Sequence, residues 1–529
     1  MRPVGLALTT GWSTRCDPVR QGRGARVTPG MSRTAGCRGV TGGTLQGAPP
    51  AASAPPDDAP TWWVRALRRW WPAGYGAAVG ALLFVVAHRA MPDDGLISLS
   101  FARNLAEHGQ WALTTGIESN TATSPLNVWL LAGLHLATGG RAFVAAGLLL
   151  MLCLAATAVW LRHLGGTASA VLGTAMLASC PVLTSAIGLE TYLAAAVLVG
   201  LVRYGTDGRW VVAGVFVGAA FLTRPDLTLA AVAALLVLAV THRRLLWGLP
   251  LGAAVAAPWV LFSWLHFGSA WANSVPVKWT GNGWNGTTIA TVDYWTATFW
   301  YPSLIMAATL VLGVLATIVA AWRRWWPACA FGVGGAVHLG ALLSTPTPPT
   351  EYYLAPAMTG LGLALVLVAA RARWALVVPA AVVAGSVALS IAHGALWSEG
   401  LAPMRQNWAT NAEYAAIARE LPVDAPIMSG EIGALAFSCQ DRGCTVIDPV
   451  LTDPGRVDRF VAKWRFFHPA WELNYAHYEV PPPTPVGYRL VLGLTDHQPG
   501  DWPITRAPGV HQWARLAPVA DPFIAGPGW

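Results

Sequence analysis

The chain has 529 residues, of which 54% are hydrophobic and 11% are charged, and its formal net charge is +8. This composition excludes an ordinary soluble enzyme, because apolar runs near the roughly 20 residues that span a bilayer recur between residues 79 and 393. The basic residues stand in short clusters between these runs, which is typical of topogenic charges and argues against nucleic-acid binding.

Residues 1–60 are rich in Gly, Arg, Pro, Ser and Thr and have no apolar segment of the kind that a cleavable signal peptide needs. Their composition predicts a disordered tail. An upstream, misassigned start codon explains the segment equally well, and Met31 is one candidate for the true first residue.

About eleven membrane spans are predicted after this tail. The first covers about 75–90 and follows a cluster of arginines, so the positive-inside rule keeps the N-terminus in the cytoplasm. Residues 125–140 are short for a span and are predicted as a re-entrant or surface-lying helix, because every basic cluster then falls on the cytoplasmic side. The other predicted spans are 141–161, 168–187, 190–204, 209–222, 226–242, 246–266, 302–321, 326–344, 352–370 and 374–393.

The same topology gathers polar stretches from distant parts of the chain on the outer face of the membrane. They are the loop 91–124, the segments 188–191 and 223–226, and the loop 267–300. The predicted fold class is an all-α polytopic membrane domain over residues 61–398, in the plasma (inner) membrane, with these stretches facing away from the cytoplasm.

The pattern changes near residue 399 to that of a soluble protein, which predicts a small extracytoplasmic α/β domain over residues 399–529. Cys439 and Cys444 bracket a turn-like insert in this domain, and outside the cytoplasm such a pair can form a disulfide. The elements predicted there are a helix over 411–421 and strands over 425–429 and 445–448.

Asp93 and Asp94 directly follow the first span and precede a stretch, 96–106, whose apolar residues recur at helical intervals, which indicates a helix on the membrane surface. Carboxylates beside a membrane are costly to desolvate, so the pair marks a candidate site. Capping of the following helix is the plain alternative. A pair suits two tasks, in which one carboxylate accepts a proton from a hydroxyl and the other orients the acceptor or holds a divalent ion.

Several motifs carry a family resemblance. The segments 93–110 and 118–126 resemble the first outer loop of GT-C superfamily glycosyltransferases, and 188–191, 223–226 and 273–278 resemble later outer-face motifs of that group in the expected order. The nearest named members are the terminal arabinofuranosyltransferases that build arabinan cell walls. Segments that resemble the tail of bacterial members are 430–435, 446–449 and 451–454.

The resemblance implies a membrane transferase that takes a hexose or pentose from a polyprenyl-phosphate donor and passes it to a hydroxyl of a glycan or lipid acceptor, in cell-wall or envelope assembly. Asp93 or Asp94 would be the base of a single displacement. Arg224 and Lys278 would contact the donor phosphate. Whether a divalent cation takes part is open. The other predicted substrate-binding residues are Glu118, Asn120, Thr123, Glu190, Asp226, Glu351 and Tyr352.

These assignments have structural alternatives. Arg224 and Lys278 can snorkel at helix ends, and Asp226 can simply pair with Arg224. Glu190 can cap the helix that follows it. Glu351 stands where related enzymes often carry a basic residue, which argues against a phosphate contact there. The alternative function is a transporter or flippase of a lipid-linked substrate, although repeated halves and midplane charges are not evident.

Overall fold

The structure is a computed structural model, and it describes most of the chain after residue 61. Three predictions fall outside the described residues: the tail 1–60, the phosphate contact of Lys278, and the part of the C-terminal motifs that covers 448–454. The described residues are 62–275, 295–344, 350–393, 401–404, 407–423, 425–447, 462, 468–479, 485–507 and 510–519.

The first part of the chain is helical and apolar. Within the described ranges, seven segments are long and apolar enough to cross a membrane, as expected of an integral membrane protein, and four shorter apolar helices accompany them. The number of eleven spans therefore stays a prediction. The helices are α1 (Trp62–Ala87), α2 (Asp93–His108), α3 (Pro125–Ala137), α4 (Ala142–Ser179), α5 (Pro181–Ser185), α6 (Thr191–Thr206), α7 (Trp210–Thr223), α8 (Leu227–Ala239), α9 (Gly248–Phe267), α10 (Trp300–Trp322), α11 (Trp326–Ser344), α12 (Ala355–Arg371) and α13 (Val377–Ala392).

Helix α4 contains a chain reversal. Gly166 has φ 79° and ψ −167°, a conformation that is essentially restricted to glycine. A Cβ atom on Gly173 would lie 2.6 Å from Cδ1 of Leu161, whereas a straight helix would separate these residues by about 18 Å. The two arms of α4 therefore fold against each other and correspond to the predicted spans 141–161 and 168–187.

Helices α7 and α9 approach each other through glycines spaced four residues apart. Gly214 and Gly218 of α7 face Gly248 and Gly252 of α9, and a Cβ atom on Gly214 would lie 2.9 Å from the carbonyl oxygen of Gly248. Such small-residue pairs let helix backbones pack closely in a membrane, where apolar burial alone does not favour association. Helix α7 ends at Thr223, directly before Arg224 and the loop that leads into α8.

Helix α2 begins earlier and ends later than predicted, and its apolar side is covered by other parts of the protein. Its apolar side, with Leu96, Leu99 and Phe101, is buried, and the helix packs between α3 and the C-terminal domain. Helix α3 has 13 residues and is about 20 Å long, shorter than the roughly 30 Å apolar core of a bilayer. Helix α8, which was predicted to span, also has 13 residues, so length alone does not separate the two cases and the non-spanning helix stays a prediction. A small hairpin of β1 (Ala112–Thr114) and β2 (Ile117–Glu118) connects the two helices.

The C-terminal domain is α/β, as predicted. Its sheet has the order β4-β3-β5-β7-β6, in which β4, β3 and β5 are parallel and β5, β7 and β6 are antiparallel. Cys439 and Cys444 form a disulfide. The elements are α14 (Asn411–Glu420), β3 (Ile427–Ser429), α15 (Gly433–Gln440), β4 (Val446–Ile447), α16 (His468–Asn474), β5 (Tyr488–Leu494), β6 (Trp502–Ala507) and β7 (Val510–Pro518).

Candidate active site

The predicted polar stretches meet around a cavity of about 320 Å³, here called the apolar cavity. Its walls come from the first turns of α2, the loop before α3, the loops before α6 and α8, α11, and the 3-10 turn Glu351–Leu354. The convergence expected from the sequence is therefore present. The lining includes Asp94, Thr121, Thr123, Leu189, Glu190, Arg224, Asp226, Leu229, Trp271, His338, Leu342, Tyr352 and Tyr353.

Arg224 is the centre of an ion-pair cluster in this cavity. The residue is only 3% exposed. Its Nε and Nη2 atoms donate to Oδ1 and Oδ2 of Asp226 at 3.0 and 2.9 Å, and Nη1 donates to Oε1 of Glu190 at 3.1 Å. Nε2 of His338 lies 3.1 Å from Oδ2 of Asp226. Arg224 therefore does not snorkel, and its pairing with Asp226, which was one alternative, is confirmed.

The surroundings of Arg224 and Asp226 favour the charged forms of these two residues. Burial acts to lower the pKa of Arg224, but the charges of Asp226 and Glu190 outweigh it and raise that pKa above its usual value. Burial likewise acts to raise the pKa of Asp226, and Arg224 and His338 outweigh it and hold that pKa well below its usual range. Glu190 makes no side-chain cap on α6 and uses its carboxylate to bind Arg224 instead.

Asp94 lies between this cavity and a second one. The Tyr352 hydroxyl donates a short hydrogen bond to Oδ2 of Asp94. The same two residues line a cavity of about 310 Å³, here called the interdomain cavity, whose other walls come in equal parts from the membrane domain and the C-terminal domain. The lining of the interdomain cavity includes Asp93, Asp94, Ser185, Glu351, Tyr352, Met404, Asn407, Trp408, Gly430 and Glu431.

Asp93 is directed away from Asp94, toward the C-terminal domain. Its Oδ1 accepts from the backbone N–H of Ala434 at 2.8 Å, and its Oδ2 accepts from that of Ile432 at 3.2 Å. Neither aspartate caps α2 through a side-chain hydrogen bond, because the N-cap position is Pro92. The two carboxylates, equivalent in the sequence, thus have different surroundings.

The carboxyl group of Asp93 should make the stability of the protein depend on pH. Burial raises its pKa to about 7, although the hydrogen bond from Ala434 opposes the shift, and Asp94 adds to it. An aspartate in an unfolded chain has a pKa of about 4, so between about pH 4 and 7 the folded state binds the extra proton and loses stability as the pH rises. We expect the apparent Tm in detergent to fall over this window, and to fall less in Asp93→Asn, which cannot titrate. Parallel Tm curves for the two proteins would contradict this assignment.

Two of the predicted sugar-binding residues, Glu118 and Asn120, lie outside the described lining of both cavities. Glu118 is exposed, does not appear in the described lining of either cavity, and accepts from Nε2 of His266 at 3.0 Å. Asn120 is buried, and its Nδ2 donates to Oγ of Ser263 at 2.9 Å and to the carbonyl oxygen of Trp271 at 3.0 Å. Asn120 therefore ties the loop before α3 to the end of α9, which is a structural role.

Six of the other predicted substrate-binding residues line one or both cavities. Thr123, Glu190, Arg224, Asp226 and Tyr352 line the apolar cavity, and Glu351 is buried in the wall of the interdomain cavity. His338 was not predicted from the sequence as a site residue. An ionisable residue inside an apolar helix is itself a sign of a functional position and could have indicated it. Among the described residues, no group of three or more His, Cys, Asp or Glu side chains is arranged to hold a metal ion, and the divalent cation stays untested.

Comparison with known proteins finds similarity in solved structures. No family model and no curated protein matches the chain. ArnT from Cupriavidus metallidurans bound to undecaprenyl phosphate is 16% identical, with a TM-score of 0.47, over 77% of this chain and 92% of ArnT. The archaeal oligosaccharyltransferase AglB from Archaeoglobus fulgidus, in complex with an inhibitory peptide and a dolichol-phosphate, is 12% identical, with a TM-score of 0.43, over 80% of this chain and 69% of AglB. With identities this low, function is inferred only from the geometry of the site.

Proposed function

We propose that the protein is a membrane glycosyltransferase that moves a sugar from a polyprenyl-phosphate donor to a hydroxyl of a glycan or lipid acceptor. The observation that carries the proposal is the position of Asp94. It lines two cavities of similar volume, one that is mainly apolar and one that lies between the membrane domain and the C-terminal domain. A carboxylate between two binding spaces suits a reaction in which it takes a proton from one substrate while that substrate attacks the other.

The donor fits the apolar cavity. Leu189, Leu229 and Leu342 offer apolar surface for the first isoprene units, and Arg224 offers a buried cation for the phosphate. In the described lining, the carboxylates of Asp94, Glu190 and Asp226 outnumber this one guanidinium. A phosphate in this cavity therefore needs a second cation, and we propose Lys278, which comes three residues after Val275 of the cavity wall in the sequence.

The reaction is a single displacement. Asp94 accepts the proton of the acceptor hydroxyl, and the acceptor oxygen forms a bond to the anomeric carbon of the donor sugar. The bond between that carbon and the phosphate oxygen breaks, and its electron pair leaves with the polyprenyl phosphate. Arg224 stabilises the negative charge that develops on the phosphate. Phosphate is a good leaving group, so this scheme needs no general acid.

Tyr352 orients Asp94, so its hydroxyl is expected to affect the rate. Tyr352→Phe removes a hydrogen bond to a charged group, and we expect kcat to fall by about 10- to 100-fold. Tyr204→Phe is the matched control, because Tyr204 stacks on Phe216 at the far end of α6. Initial rates of sugar transfer measure both variants, and an unchanged rate in Tyr352→Phe would remove Tyr352 from the mechanism.

The proposed function is tested with the purified full-length protein in liposomes. Radiolabelled polyprenyl-phosphate pentoses and hexoses are supplied with candidate glycan acceptors, and transfer of label to the acceptor is the expected result. Movement of the donor across the liposome membrane without transfer would instead support a flippase. The cell-wall role and the arabinofuranosyl donor are proposed from the motif resemblance, and analysis of lipids and wall glycans in a deletion strain tests them.

A further inference from the structure

We propose that Asp93 is a positioning residue that holds the C-terminal domain in place as one wall of the acceptor site. The inference rests on the proposed function, since it assigns the interdomain cavity to the acceptor. It gives the two adjacent aspartates separate tasks: Asp94 takes the proton, and Asp93 fixes the surface against which the acceptor binds.

Asp93 caps a helix of the C-terminal domain. Ile432 is the N-cap residue of α15 and supplies no side-chain cap of its own. The first N–H groups of a helix have no partner within the helix, and Asp93 accepts from two of the N–H groups at this end, those of Ile432 and Ala434. A negative charge is also favourable at this end of a helix dipole.

The backbone around Asp93 is held by the same domain. The N–H of Asp93 donates to Oδ1 of Asn407 at 3.1 Å, and Nδ2 of Asn407 donates to the carbonyl oxygen of Met91 at 3.3 Å. Nδ2 of Asn411 donates to the same Met91 oxygen at 3.1 Å. Two asparagine side chains of the C-terminal domain therefore form hydrogen bonds with the backbone of the segment that leads from the first span into α2.

The approach of the two domains is so close that only glycine fits at one position. A Cβ atom on Gly433 would lie 1.9 Å from the carbonyl oxygen of Asp93, far inside van der Waals contact. A larger residue would have to separate α15 from the first turn of α2. Gly433 thus provides a second and independent way to disturb the same contact.

The contact is coupled to Asp94 by helix geometry. Successive residues of a helix point about 100° apart, so fixing Asp93 toward α15 turns Asp94 toward the apolar cavity and Tyr352. The domain that Asp93 holds supplies Met404, Asn407 and Trp408 to the interdomain cavity. None of the described residues that line the apolar cavity comes from the C-terminal domain.

Of the two cavities, the described residues of the C-terminal domain line only the interdomain cavity, so disturbing the position of this domain should affect the KM for the acceptor more than the KM for the donor. Loosening the contact should disturb the acceptor wall while leaving the donor cavity intact. We expect Asp93→Asn to raise the KM for the acceptor about tenfold, the effect of losing one hydrogen bond to a charged group. Gly433→Ala should raise it at least as much, because its Cβ atom would clash with the carbonyl oxygen of Asp93. Neither variant should change the KM for the donor much. Gly133→Ala is the control, because Gly133 is an exposed glycine of α3 with open space around its Cβ position.

Hydrogen–deuterium exchange of the full-length protein in detergent reports on the contact without any substrate. In both variants, peptides that cover 430–440 should exchange about tenfold faster, while peptides of β5 and β7 keep their protection, which shows that the domain is still folded. Unchanged exchange at 430–440 in both variants would overturn the proposal. A fall in kcat as large as that of Asp94→Asn, with both KM values unchanged, would also overturn it, because Asp93 would then be the base. If the wild-type protein transfers no sugar but the two variants still exchange faster at 430–440, the docking role of Asp93 is supported and the proposed function is refuted.

Discussion

Asp94→Asn is expected to lower kcat for sugar transfer by about 10²- to 10⁴-fold, the usual contribution of a general base, while the apparent Tm stays close to that of the wild type. The physical reason is that the amide cannot accept a proton from the acceptor hydroxyl. Its oxygen can still accept the hydrogen bond that the Tyr352 hydroxyl donates to Asp94. The variant therefore removes the chemistry and preserves the local contact.

Asp93→Asn is the internal comparison for this experiment. Its carboxylate is committed to the N–H groups of Ile432 and Ala434, so we expect its main effect on the KM for the acceptor, and a smaller loss of kcat than in Asp94→Asn. Transfer assays with saturating donor and varied acceptor measure both quantities. Wild-type rates in both variants would refute the catalytic assignment of the aspartate pair and leave a transport function to be tested.

Arg224→Met is expected to produce the largest loss of stability, roughly 3–5 kcal/mol, together with loss of transfer. Removing the guanidinium leaves the carboxylates of Glu190 and Asp226 without the cation that they share. The side chains of Arg224 and Glu190 are 4% and 6% exposed, so the cost falls mainly on the carboxylate of Glu190, whereas the Asp226 side chain is 35% exposed and keeps contact with water. Denaturant unfolding in detergent measures the change.

Two further variants separate stability from function in this cluster. Neutralising all three residues, in Arg224→Met/Glu190→Gln/Asp226→Asn, should recover much of the lost stability, because no unpaired charge stays buried, but it should not recover transfer. Arg209→Met is the surface control: the Arg209 side chain is 62% exposed and 4.0 Å from Asp207, so a change below about 1 kcal/mol is expected. A triple variant as unstable as Arg224→Met would show that burial of charge is not the cause.

The location of the candidate site could be predicted because it depends on local pattern. The alternation of apolar runs and basic clusters placed 91–124, 188–191 and 223–226 on one face, and the cavity is built from these segments. A helix directly after Asp93 and Asp94 also followed from periodicity alone. Glu118 and Asn120 stand in a matching motif, yet one faces the exposed His266 and the other fastens a loop, because a motif does not specify the direction of each side chain.

The sequence by itself determined the class of protein, the helical membrane domain followed by an α/β domain, and the carboxylates and arginine of the site, because hydrophobic periodicity and charge placement are local properties of the chain. Only the tertiary structure decided what each of these groups contacts. Asp93 meets Ile432 and Ala434 across more than 300 residues, Arg224 meets Glu190 from another helix, and His338 reaches Asp226 from α11. Partners so distant in the chain are selected by how helices and domains pack. That packing turns one of two neighbouring aspartates toward the C-terminal domain and the other toward the apolar cavity.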